Sequence, residues 1–183
     1  MSVHRRAIME GTEDDRLVNR LTGKTSDNDD KRSRRNIFPV NFYDSACLMI
    51  SSCFFLIPGG YGFANNLMFF GFVSLITTIV SINYWRYAVE GPRRTADLVT
   101  AKVSFIIYFV TGCMFVRNIT ILIIAVPGCL GIFLFYYLSN VYWNKDSSMW
   151  VYFHMAFHFC VAFEQFLVVY GICLANAQSN FNI

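Results

Sequence analysis

From about residue 42 onward the chain is a succession of apolar runs separated by short polar turns. The runs cover about Phe42 to Ile57, Leu67 to Trp85, Leu98 to Val116, Ile119 to Tyr142 and Met149 to Ala175. Each of the last four has the roughly twenty residues that a helix needs to cross a hydrocarbon core. The first stops at Pro58-Gly59-Gly60, so it must either recruit Tyr61 to Ala64 or lie partly buried among its neighbours. A bilayer admits only helices and closed barrels, and barrel strands alternate strictly over about ten residues, which these runs do not. The pattern predicts an all-α fold: a polytopic membrane helix bundle of about five transmembrane helices over residues 42–175, with a polar tail at 1–41 and a short tail at 176–183.

Polar residues inside the runs recur at helical spacing. Ser74, Thr77 or Thr78, Ser81 and Trp85 share a face of the second run, and Asp97, Ser104, Tyr108 and Thr111 a face of the third. His154 and His158, four apart, project from one face of the fifth, which Gln165 continues. Three polar faces predict a shared interior. An ionisable group at the centre of a membrane helix costs about 2.5 to 3.5 kcal/mol, so Asp97, Lys102, His154, His158 and Glu164 each need a partner or a watery cavity. Lys102, near the start of its run, either snorkels to the surface or binds lipid phosphate. Glu164 is turned away from the histidine face, and either meets another subunit or is protonated in place. Pro127-Gly128 predicts a kink in the fourth run.

Composition and charge sharpen this division. Of 183 residues 55 % are hydrophobic, above the usual share for a soluble domain. Residues 1–36 hold nine of the fifteen Lys and Arg and seven of the twelve Asp and Glu, which separates a solvated tail from an embedded body. The net charge of +3 is small and tail-centred, which argues against nucleic acid as a partner. Early acids and the absence of an apolar run before Phe42 argue against a cleavable signal. Thr12 and Asp15 fit the cap of a short helix bearing Leu17, Val18 and Leu21, a docking segment for a partner protein; a disordered tail is the alternative. The six cysteines lie within apolar runs without a C-x-x-C pair, as small buried residues do.

Lys31, Arg32, Arg34 and Arg35 precede the first run, and Arg86, Arg93 and Arg94 follow the second, positions suited to anionic lipid headgroups. The turn Pro58 to Asn66 carries no charge. The positive-inside rule therefore puts the N-terminus on the cytoplasmic-type side and, after five spans, the C-terminus opposite. Trp85, Trp143 and Trp150, with Tyr84, Tyr87 and Tyr142, are then expected in the headgroup belt of the inner side. Asn118-Ile119-Thr120 is a formal glycosylation sequon, expected to be unused because it sits in a two-residue turn at the membrane surface.

Ser81 one turn before a helix end, Asp97 opening the next helix, and the spacing His154-x-x-x-His158 on the last helix form a pattern. It resembles that of the superfamily including alkaline ceramidases and progestin/adipoQ receptors. The resemblance implies a membrane bundle hydrolysing lipid amides with zinc, Ser81 and Asp97 being catalytic and His154, His158 and Asp97 the available metal ligands. Trp85 stands where that superfamily has its first histidine, and the chain has about two spans fewer. Ser81 to Arg86 (SINYWR), followed by Arg93-Arg94 and Asp97, also looks like small membrane proteins of large DNA viruses and protists. That likeness implies a virion internal membrane, an endomembrane or an organelle.

The leading expectation is a non-catalytic subunit or scaffold of a larger membrane-associated assembly. It would contact lipids and, through its tail and membrane faces, other proteins, and it requires no cofactor. The alternative is a minimal zinc-dependent lipid amide hydrolase of the alkaline ceramidase type. A proton or ion conductor using Glu164, Asp97 and the histidines is a third reading, weakened because these groups give no continuous path across.

Overall fold

In the computed structural model the described residues are 40–89, 91–145 and 147–181, with side chains described up to residue 178. They form helices joined by short turns, with no strand among them. Helix α1 (Phe42–Ser52) passes through a 3-10 turn (Cys53–Phe55) into α2 (Leu56–Ala64); α3 (Met68–Trp85), α4 (Pro92–Phe115), α5 (Ile119–Asn144) and α6 (Met149–Phe181) follow. Counting α1, the turn and α2 together, five helices are long and apolar enough to cross a membrane, the character of an integral multi-pass protein.

Helix limits differ from the expected ones in three places. The backbone stays helical through Pro58-Gly59-Gly60 to Ala64, so the first span has 23 residues and does recruit Tyr61 to Ala64. The uncharged turn shrinks from Pro58–Asn66 to the few residues about Asn65-Asn66, where Asn66 takes φ 59°. In lipid a broken helix would leave backbone groups without water, so continuing the helix costs less than stopping it. Helix α4 starts at Pro92, six residues before the expected Leu98, so Arg93 and Arg94 lie on its first turn instead of in a loop and Asp97, expected to open the helix, lies in its second turn. Proline at the first helical position lacks only an N–H that would be unpaired anyway, and Gly91, at φ 148°, supplies the reversal before it. Helix α6 continues to Phe181, through much of the expected tail at 176–183, and α5 stays helical through Pro127.

Two asparagines fix helix starts. Asn41 Oδ1 accepts from the Asp44 amide at 2.8 Å, and Asn118 Oδ1 accepts from Thr120 and Ile121 at 2.9 and 3.3 Å. The asparagine of the formal sequon is thus a helix cap.

The packing is a ring of four spans with a fifth attached. The first span packs on α3 and α6, and α4 packs on both α3 and α6, closing the ring. Helix α5 lies along α6, the most extensive interface in the bundle, and has no comparable interface with the rest. Small residues permit the closest approach. A Cβ at Gly62 would lie 3.2 Å from the Gly71 backbone nitrogen, and one at Gly59 3.1 Å from the Ser74 Cβ, so α2 and α3 meet nearly backbone to backbone.

This contact makes a direct prediction. Gly62→Leu wedges α2 from α3 and lowers stability by about 1–3 kcal/mol, seen as earlier loss of the circular-dichroism signal on heating in detergent. Gly60→Leu, where a side chain meets open space, serves as the control and leaves the transition in place.

Candidate functional site

The three polar faces expected from spacing do point inward. Ser74, Thr77, Thr78 and Ser81 on α3, Ser104 and Tyr108 on α4, and His158 and Gln165 on α6 are all buried. They meet in pairs across the ring. Ser74 Oγ lies 2.8 Å from the Tyr108 hydroxyl, which donates to the Phe70 carbonyl at 3.0 Å; Gln165 Nε2 donates to Ser104 Oγ at 3.0 Å.

Nearer one end of the bundle the contacts form a longer series. Asp97 on α4 interacts with Ser81 on α3 through their side chains, and Ser81 Oγ lies 3.0 Å from Ser52 Oγ on α1. The adjacent Ser51 places its Oγ 2.8 Å from His158 Nδ1 on α6. One turn back on α6, His154 Nδ1 lies 3.3 Å from Ser139 Oγ on α5. Ser51 and Ser52 both also donate to the Leu48 carbonyl, at 2.9 and 2.8 Å. When Ser51 gives its one proton to Leu48, His158 must carry its own on Nδ1 and donate it to Ser51. Every one of the five spans contributes at least one member.

Aromatic rings close around the imidazoles. His154 and His158 stand edge to face with centroids 4.8 Å apart, Trp85 meets His154 at 5.0 Å and 70°, and Phe55 meets His158 at 5.4 Å. Trp85 and Trp150 pack with Leu48, Ala88 and Val151 in a buried cluster, and the Ser45 hydroxyl donates to the Trp85 carbonyl. Trp85 and Trp150 were expected in a headgroup belt; at 6 % and 7 % exposure they are core residues instead. Of that expected belt, Tyr87 and Trp143 are exposed.

Ser81 and Asp97 thus come together, as do His154 and His158, but Ser52 and Ser51 stand between the two pairs. The spacing of Ser51 and His158 is that of a nucleophile and its base. Ser51 has no exposed surface. No group of three or more His, Cys, Asp or Glu among the described residues is placed to hold a metal, and Trp85 stands where the resembled superfamily has its first histidine. Asp97 does not complete a triad with the histidines. Ser51, Ser52 and Ser139 are the members that the sequence reading missed. Each is a hydroxyl within an apolar run, which is the signal that would have found them.

Glu164 has a partner within the chain. It lies against α5, where Cys129 Sγ is 3.7 Å from Oε2 and Gly128 leaves the space: a Cβ there would fall 1.8 Å from Oε1. Lys102 is exposed on the outer side of α4. Arg86 and Arg93 both lie over the Tyr87 ring, at 5.1 and 5.3 Å, while Lys31, Arg32, Arg34, Arg35 and the docking segment near Thr12 are outside the described residues.

No protein-family model, no curated protein and no solved structure matches the chain.

The Ser51–His158 contact is open to a double-mutant cycle. Ser51→Ala and His158→Phe each destabilise the bundle, and together they cost less than their sum by about 0.5–1.5 kcal/mol, measured by denaturant titration in detergent. A zero coupling energy would remove the contact from the account.

Proposed function

We propose that this protein is a non-catalytic subunit or scaffold of a larger membrane-associated assembly. The observation that carries the reading is the uneven covering of its helices. In the most apolar stretch of α4 and of α5 only 11 % is buried, against 33 to 39 % in the other three spans. On α4, Val99, Val103, Ile106, Val110 and Met114 form an exposed stripe at spacings of four and three. Its spacing is that of a helix–helix seam, and on this proposal a helix of another chain takes the place of lipid along it. The contacts of the candidate catalytic residues support the same reading, since Ser81 meets Ser52 and Asp97.

The same proposal sets the protein in its membrane. Arg86, Arg93 and Arg94 stand at the end of the bundle that the positive-inside rule assigns to the cytoplasmic-type side, with the C-terminus opposite. The amino end of α4 adds partial positive charge beside Arg93 and Arg94, which suits an anionic lipid headgroup. Neighbouring proteins would engage the α4 stripe and the N-terminal tail. A virion internal membrane, an endomembrane or an organelle are the settings that this reading allows.

The hydrolase reading rests on the resemblance of Ser81, Asp97, His154 and His158 to the ceramidase pattern, and it requires zinc. One preparation tests both. Extracted from its native membrane in mild detergent, the protein runs by native mass spectrometry in a species well above its own 21.1 kDa and without stoichiometric zinc. Ile106→Trp, harmless against lipid but a clash in a seam, shifts it toward the single chain. A monomer with one zinc, lost in His154→Ala and His158→Ala, would replace this proposal with the hydrolase.

A further inference from the structure

Lys102 is placed unlike the other charged groups of the bundle. Ser104 and Tyr108 mark the buried face of α4, and Lys102 is exposed on the opposite one. It lies three residues after Val99 and four before Ile106, so it belongs to the exposed stripe of that helix.

Contacts between α4 and α3 fix its depth. Asp97 is level with Ser81, and Tyr108 with Ser74 and the Phe70 carbonyl. Lys102 lies between these two contacts and is therefore level with the middle of α3, which runs from Met68 to Trp85. At 1.5 Å per residue α3 is about 27 Å long, within the roughly 30 Å of a hydrocarbon core. The Lys102 backbone is thus about 13 Å from either end, and an extended lysine side chain covers only about half that distance. Because α4 starts at Pro92 and not at Leu98, Lys102 lies nearly three turns into the helix.

Neither snorkelling nor a lipid phosphate reaches an ammonium at this depth, and a charge in hydrocarbon is costly unless a group of opposite charge meets it. A second copy of the chain does not supply that group from its described residues. Of their three carboxylates, Asp97 turns to Ser81, Glu164 lies between α6 and α5 beside Cys129, and Asp44 sits in the first turn of α1, at the end of a span.

We propose that the α4 stripe receives a transmembrane helix of a different protein, and that this helix carries an aspartate or glutamate paired with Lys102 at mid-membrane. The inference rests on the reading of the protein as a subunit and adds the chemistry of its neighbour. Val99, Val103, Ile106 and Val110 give that helix an apolar seat, and Lys102 selects it from other apolar helices.

The test uses the tagged full-length chain in its native membrane, extracted in mild detergent and read by native mass spectrometry and by peptide sequencing of its companions. Wild type and Lys102→Arg are recovered with a second protein that has a carboxylate within a transmembrane span. Lys102→Met, which only makes the lipid face more apolar and leaves helix content by circular dichroism unchanged, lowers that recovery about tenfold or more. Lys102→Glu abolishes it, and exchange of the companion's intramembrane carboxylate for lysine restores it. Loss of the companion in Ile106→Trp but not in Lys102→Met would keep the subunit reading and overturn this inference. Loss in neither variant would overturn both. An assembly made only of copies of this chain would overturn the inference, as would a single chain whose bound anionic lipid disappears in Lys102→Met.

Discussion

A hydroxyl, imidazole or carboxyl group placed among hydrocarbon has lost its water, and the free energy of that loss returns only through another polar atom of the chain. The interior of this bundle follows from that constraint. Ser81 turns to Ser52 and Asp97, Ser51 to His158, Ser139 to His154, Ser74 to Tyr108, and Gln165 to Ser104. Each contact joins two different spans. Membrane helices gain no hydrophobic free energy by meeting one another, so such contacts and close packing of small residues decide which faces meet.

The two devices work at different levels of the bundle. Gly59, Gly62, Gly71 and Ser74 bring α2 and α3 together by shape, whereas the serine–imidazole series links α1, α5 and α6 by hydrogen bonding. Trp85, Trp150 and Phe55 then pack around the imidazoles, of which His158 is buried and His154 half-buried. Through Ser51 and Ser139 the histidine pair of α6 is joined to α1 and α5.

The number of spans was legible as the number of apolar runs, and the inward faces of α3, α4 and α6 as polar residues three, four and seven apart. Other features depend on partners distant in sequence. Nothing near Ser51 announces His158, which is 107 residues away. Pro58-Gly59-Gly60 reads as a stop because those residues end helices in water, and it is the absence of water in lipid that overrides them. Trp85 and Trp150 read as headgroup anchors because that is where tryptophan gathers on average, yet Leu48 and Val151 offer them a buried face. Glu164 appeared partnerless because its neighbour is a thiol beside Gly128, and the room a glycine leaves is visible only once α5 and α6 are docked.

The central claim is that the polar side chains of different spans meet in the interior, and Ser52 with Ser81 is its most direct test. In a full-length variant whose six native cysteines are replaced by serine or alanine, Ser52→Cys and Ser81→Cys are combined and mild oxidant is added to membranes. Hydroxyl oxygens 3.0 Å apart put the two Cβ atoms within the reach of a disulfide. The account predicts a near-complete intramolecular disulfide between α1 and α3, detected by mass spectrometry of the intact chain. Free thiols on both residues in a folded, helical protein would contradict it.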